Sequence, residues 1–118
     1  MRDNYRPLFG QYDGDIVLNG HNHAYERPYP IKYDNANPAA PIIMNNSRAS
    51  YNDPEGQIFA TVGTAGPSIY HYTNKSSYIV TQYEGFSFLD LNIHRNKPIV
   101  KFYSNSDGSI KDRFTITK

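Results

Sequence analysis

The 118-residue chain contains no cysteine and no tryptophan. The lack of cysteine excludes disulfides, thiolate metal ligands and a cysteine nucleophile, and leaves the redox compartment open. No apolar run approaches the roughly 20 residues needed to span a bilayer, and no signal peptide opens the chain, so no membrane role is expected. A formal charge of +1 gives no electrostatic basis for binding nucleic acid or an anionic surface. Internal repeats and low-complexity runs are absent, as are a Ser/His/Asp set and paired catalytic carboxylates.

What the chain does have is aromatic. Eleven Tyr and six Phe favour sheet over helix, because flat rings pack well on a pleated surface. The length suits one modest domain. In "DNYRPLFGQY" a short helix is expected, capped by Asp3 or Asn4. Pro7 is tolerable there only in the first turn, Leu8, Phe9 and Tyr12 share a face, and Gly14 ends the helix. "DIVLN", residues 15–19, reads as a short strand buried on both sides of a parallel sheet.

From residue 24 to 57 five prolines stand among Asn, Asp, Ser and Ala, which predicts a long irregular loop in which Ile42, Ile43 and Met44 supply one short strand or a pinning contact. Residues 58–118 read as a β meander. "GFSFLDLNIH" alternates with Leu89, Leu91 and Ile93 on one face, "RNKP" is a hairpin connection, and "IKDRFTITK" puts Ile110, Phe114 and Ile116 on one side. The fold class is therefore α+β, with an N-terminal helix and buried strand followed by an antiparallel meander.

Chemistry is concentrated in "VLNGHNHAYERPY". His21 and His23 stand two residues apart, so extended backbone points both imidazoles one way. Gly20 permits a sharp exit from the strand. Neutral imidazole suits Zn, Fe and Cu, yet the spacing alone fits two turn histidines as well. Position adds weight, since ligand sites of open α/β sheets lie beyond the carboxyl ends of strands. Glu26 and Arg27 follow as candidate orienting groups or as a solvated charge pair. Elsewhere, His71 and His94 read as structural and turn residues, and "GTAGPS" as a turn that lacks the Lys and helix of a P-loop. The sequons at Asn45 and Asn74 read as polar loop.

The block "DIVLNGHNHAYERPYP" resembles the last metal-binding block of the calcineurin-like metallophosphoesterases, and "GHNHAYER" resembles the purple acid phosphatase branch, with Gly20, His21, His23, Tyr25, Glu26 and Arg27 all matching. "ATVGTAGPS" and the closing meander are similar to the same family, and residues 31–57 least so. The resemblance implies hydrolysis of phosphate esters by a metal-bound hydroxide at a two-metal site, with Fe beside Zn, Mn or a second Fe. His23 would ligate the iron(III), His21 the divalent neighbour, and Tyr25, Glu26 and Arg27 would support them.

The family's other ligand blocks do not occur in these residues, so the resemblance implies a C-terminal segment that is inactive alone, belonging to a parent enzyme of the secreted kind. Such a segment would expose sheet surface open to self-association. The competing class is a non-catalytic β-rich binding or interaction module.

Overall fold

A computed structural model describes residues 2–11, 14–20, 22–66, 68 and 71–117, apart from the side chains of Arg2 and Asp3. Among the described residues the chain forms one helix, α1 (Arg2–Gln11), and ten strands. These are β1 (Ile16–Asn19), β2 (Tyr25–Pro28), β3 (Ile31–Lys32), β4 (Ile42–Ile43), β5 (Ser50–Asn52), β6 (Ile58–Val62), β7 (Ile79–Tyr83), β8 (Ser87–His94), β9 (Lys97–Ser104) and β10 (Ile110–Thr117). Two four-stranded sheets, in the orders β1-β6-β2-β7 and β5-β10-β9-β8, carry the α+β fold, and β3 and β4 pair as a separate ribbon.

Alternation along the strands sets the interface between the sheets. Tyr25 and Arg27 of β2 turn towards the second sheet while Glu26 points to the opposite face. The Tyr25 ring stacks on Phe102 of β9, with centroids 3.7 Å apart. Beside them Tyr51, Ile58, Val100, Phe114 and Ile116 form the core, with Ile16 and Leu89 packed against it. Each such buried aliphatic or aromatic side chain contributes about 1.5–3 kcal/mol through removal from water.

The meander of the second sheet is as expected for β8, β9 and β10, which pair antiparallel in sequence order. Residues 95 and 96 close the β8–β9 hairpin with φ of 49° and 62°, the left-handed pair of a type I′ turn, which matches the twist of the strands. Two expectations are corrected here. β6 and β7 leave the meander for the first sheet, where β6 runs parallel to β1. A register shift between Ile110 and Asp112 turns Ile110 out, while Phe114 and Ile116 stay buried.

The amino-terminal half differs more. β1 lies at a sheet edge among the described residues, half-buried with Leu18 exposed, so it is not covered on both faces. The helix starts at Arg2, which puts Asp3 and Asn4 inside it and Pro7 beyond its first turn, where the carbonyl of Asp3 loses an N–H partner. Gly14 does close it, donating its N–H to the Phe9 carbonyl at 3.0 Å. Phe9 meets Phe59 edge-on at 6.0 Å and Arg6 lies over the same ring, whereas Leu8 is exposed and Tyr12 lies outside the described residues. Residues 24–57, expected as irregular loop with one short strand or pinning contact at Ile42 to Met44, contain β2 to β5, of which β4 is that short strand. Strands of two to four residues between prolines are too short to show a period in sequence.

Candidate functional site

β1 and β6 are parallel, so their carboxyl ends lie side by side and release two loops at one edge of the first sheet. The first is Gly20 to Ala24. His21 lies outside the described residues. Ala24 donates its N–H to the Asn22 carbonyl at 2.8 Å, a three-residue turn that folds the loop back before β2 begins. The second is the glycine loop after Val62. Gly63 donates to the Ala24 carbonyl at 3.1 Å, and a Cβ on Gly63 would stand 1.8 Å from the Asn22 carbonyl oxygen. Only a residue without a side chain lets the two backbones approach this closely.

The glycine loop also holds the His23 ring. A Cβ on Gly66 would lie 3.2 Å from the imidazole, so the ring rests on that backbone. Its Nδ1 is 3.3 Å from Ser68 Oγ, and the side chain is half-buried. Thr64 anchors the loop from behind: its buried hydroxyl donates to the Ser87 carbonyl at 3.1 Å, and the Ser87 N–H donates to the Thr64 carbonyl at 3.3 Å. The turn read in "GTAGPS" is thus also a seat for His23.

Tyr25, Glu26 and Arg27 go elsewhere. Arg27 is 1% exposed and grips Asp112 with two bonds, Nε to Oδ2 at 2.6 Å and Nη2 to Oδ1 at 2.9 Å. It also donates to the Tyr51 hydroxyl and the Arg48 carbonyl, both at 2.7 Å, and its guanidinium sits 4.5 Å from the Phe114 ring centre. Tyr25 donates its hydroxyl to Asp112 at 2.6 Å. These bonds join the two sheets. Glu26, on the other face, accepts from Gln82 at 2.8 Å, and Asn19 donates to Thr61 at 3.3 Å on the same face. Asp112 and Ser68 were invisible as partners in the sequence, because nothing local marks a residue that acts 85 or 45 positions away.

Burial works against the Arg27 charge, and the hydrogen bonds and charge of Asp112 outweigh it, so the guanidinium is held charged with a raised pKa. Burial, reinforced by Asp112, pushes the Tyr25 hydroxyl well above the ordinary tyrosine range. Burial likewise raises Tyr51, against the pull of Arg27, and raises Tyr72 with help from Glu26 and Glu84. Above about pH 10 the tyrosines of an unfolded chain lose their protons while these three keep theirs. The native state then binds more protons, so stability is whole below that pH and falls as pH rises towards the folded values. Denaturant midpoints measured from neutral pH to pH 11 are expected to drop over the last unit, less steeply in Tyr25→Phe; equal slopes in both would refute the assignment to Tyr25.

His71 is exposed and donates from Nδ1 to the Glu84 carboxylate at 2.7 Å, while the Tyr72 N–H donates to the same carboxylate at 2.6 Å. Those bonds, His71 first, hold the Glu84 carboxyl below the usual range. His94 ends β8 beside the hairpin turn, as expected. Among the described residues no three His, Asp or Glu side chains gather closely enough to hold a metal ion.

No protein-family model matches the chain. It is 26% identical over 120 residues, 99% of its length, to a protein of Arabidopsis thaliana named probable inactive purple acid phosphatase 1, of which it covers 18%. A purple acid phosphatase of Glycine max is 38% identical over 66 residues, 56% of this chain and 13% of that protein. The solved structure of a purple acid phosphatase from yellow lupin (Lupinus luteus) seeds matches with a TM-score of 0.85 at 28% identity, over 98% of this chain and 20% of that one. The chain thus spans about a fifth or less of these relatives.

Proposed function

We propose that this chain, which is homologous to the purple acid phosphatases along nearly its whole length and has the fold of their C-terminal domain, supplies two histidine ligands, His21 and His23, to a two-metal site that hydrolyses phosphate esters. The observation that carries the proposal is the seat of His23. An imidazole placed against Gly66, with Nδ1 beside Ser68, is oriented as metal-binding histidines are when their second nitrogen is engaged by a neighbour.

The donor chemistry fits: neutral imidazoles suit Zn and Fe, and a Mn ion would need oxygen ligands besides them. Two cations, when bound, neutralise the transferring phosphoryl group and lower the pKa of bound water. What the chain's own residues do is orient the ligands. Gly63 lets the His loop fold back onto β6, and Thr64 ties the seat to β8. Two imidazoles leave two ions short of ligands and without charge compensation, so the remaining groups must come from residues outside these 118, in the same polypeptide or a partner. A second reading, a non-catalytic binding module, is favoured by the relative whose name calls it probably inactive.

The test is titration of the purified chain with Zn or Mn, followed by NMR of the imidazoles, beside assays with a chromogenic phosphomonoester. Shifts are expected at His21 and His23 and along the glycine loop, lost in His23→Ala, with negligible turnover. Metal that leaves those signals unmoved would refute the ligand assignment. Turnover that tracks metal loading would refute the statement that further ligands are needed.

A further inference from the structure

β8 is an edge strand of unusual length for this molecule. Among the described residues the other edges of the two four-stranded sheets, β1, β5 and β7, run for four, three and five residues, and β8 for eight. Long edges are normally protected by lysine, proline, a bulge or a covering loop. β8, "SFLDLNIH", has no lysine and no proline, pairs with β9 without a register shift, and bears Asp90 as its one acidic or basic charge apart from His94.

The hydrogen-bonding pattern shows which groups face outward. The Asn105 N–H donates to the Phe86 carbonyl, so Phe88, Asp90, Asn92 and His94 take the bonded positions against β9. The N–H and C=O of Ser87, Leu89, Leu91 and Ile93 therefore point to the open edge. Among the described residues Thr64 closes it, at Ser87 only, through the Thr64 hydroxyl and carbonyl. The same three remaining residues carry side chains on the core side. Leu89 packs against the core, while Leu91 and Ile93 run past it and are 40% and 65% exposed.

We propose that β8 pairs antiparallel with β8 of a second copy of this chain, about a two-fold axis through Leu91. The strand is complementary to itself in that register. Leu91 faces the partner's Leu91 and Leu89 faces the partner's Ile93, all in bonded positions, so each pair exchanges both backbone bonds. Their side chains extend the apolar row of the core across the junction and cover Leu91 and Ile93. On the other face Asp90 falls opposite the partner's Asn92 and Phe88 opposite the partner's His94, so no like charges meet directly. Two four-stranded sheets become one continuous sheet, with an isologous contact that closes on itself.

The test combines sedimentation velocity over a dilution series of the 118-residue chain with amide hydrogen exchange. A concentration-dependent dimer is expected, in which the amides of Leu89, Leu91 and Ile93 gain protection while Phe88, Asp90 and Asn92, already bonded to β9, change little. Leu91→Lys sets two like charges face to face and should weaken the dimer roughly tenfold or more. Ile93→Pro removes an N–H that β9 does not use, so it should weaken the dimer while circular dichroism shows the fold retained. Leu18→Lys, at an apolar position equally exposed on β1, should leave it intact. A chain that stays monomeric, a dimer whose alternate β8 amides gain nothing, or equal loss in Leu18→Lys would each overturn the proposal.

Discussion

Replacing Arg27 with alanine is expected to lower the stability of the chain by about 3–5 kcal/mol, the usual consequence of stranding one charge of a buried pair. The Asp112 side chain is 8% exposed and accepts two bonds from the Arg27 guanidinium, a third from the Tyr25 hydroxyl and a fourth from the Arg113 N–H. Without the guanidinium the carboxylate keeps only the Tyr25 hydroxyl and the Arg113 N–H, and Tyr51 and the Arg48 carbonyl lose their donors as well. The pair is costly to break without being a large net source of stability, because both ions gave up water to form it.

That distinction is testable in a cycle. Arg27→Met with Asp112→Leu removes both charges and should recover much of the loss seen in Arg27→Met alone, the difference measuring the coupling. Urea unfolding followed by tyrosine fluorescence reads each variant as a shift in midpoint. A loss below about 1 kcal/mol in Arg27→Ala would mean that water replaces the guanidinium readily, and the inter-sheet role assigned to it would fail.

Gly63→Ala is expected to cost about 3 kcal/mol, the upper part of the range for overpacking, because the obstacle is backbone and cannot rotate away. The added Cβ would stand 1.8 Å from the Asn22 carbonyl oxygen and 2.7 Å from its carbon. Gly63 is not among the glycines with positive φ, so the penalty is steric. Relief requires the Asn22–Ala24 turn to move off β6, which would break the Gly63–Ala24 bond and carry His23 with it.

Gly66→Ala provides the contrast. Its Cβ would meet the His23 ring at 3.2 Å, a side chain that can shift by a few tenths of an ångström, so the stability loss should be nearer 1 kcal/mol while the imidazole signals still move. Thermal unfolding and imidazole NMR on both variants separate the two effects. Equal stability of Gly63→Ala and the natural chain would show that the two loops do not pack as described.

Sequence alone determined whatever depends on neighbours along the chain. The alternation in "GFSFLDLNIH" set which faces of β8 are apolar, because side chains in a strand alternate whatever they pack against. "RNKP" marked a hairpin, with Arg95 and Asn96 both in the left-handed region. "GHNHAYER" marked the candidate ligands and placed them just beyond a strand.

Tertiary structure decided the pairings. Only the fold brings β6 beside β1, parallel and 42 residues on, so that the glycine loop arrives under His23. Only the fold takes Arg27 to Asp112 across 85 residues and makes a candidate orienting group into a tie between sheets. Periodicity records which side of a strand is buried. It carries no information about which distant strand covers that side, because that depends on the shape and hydrogen-bonding match of surfaces that become adjacent only once the chain has folded.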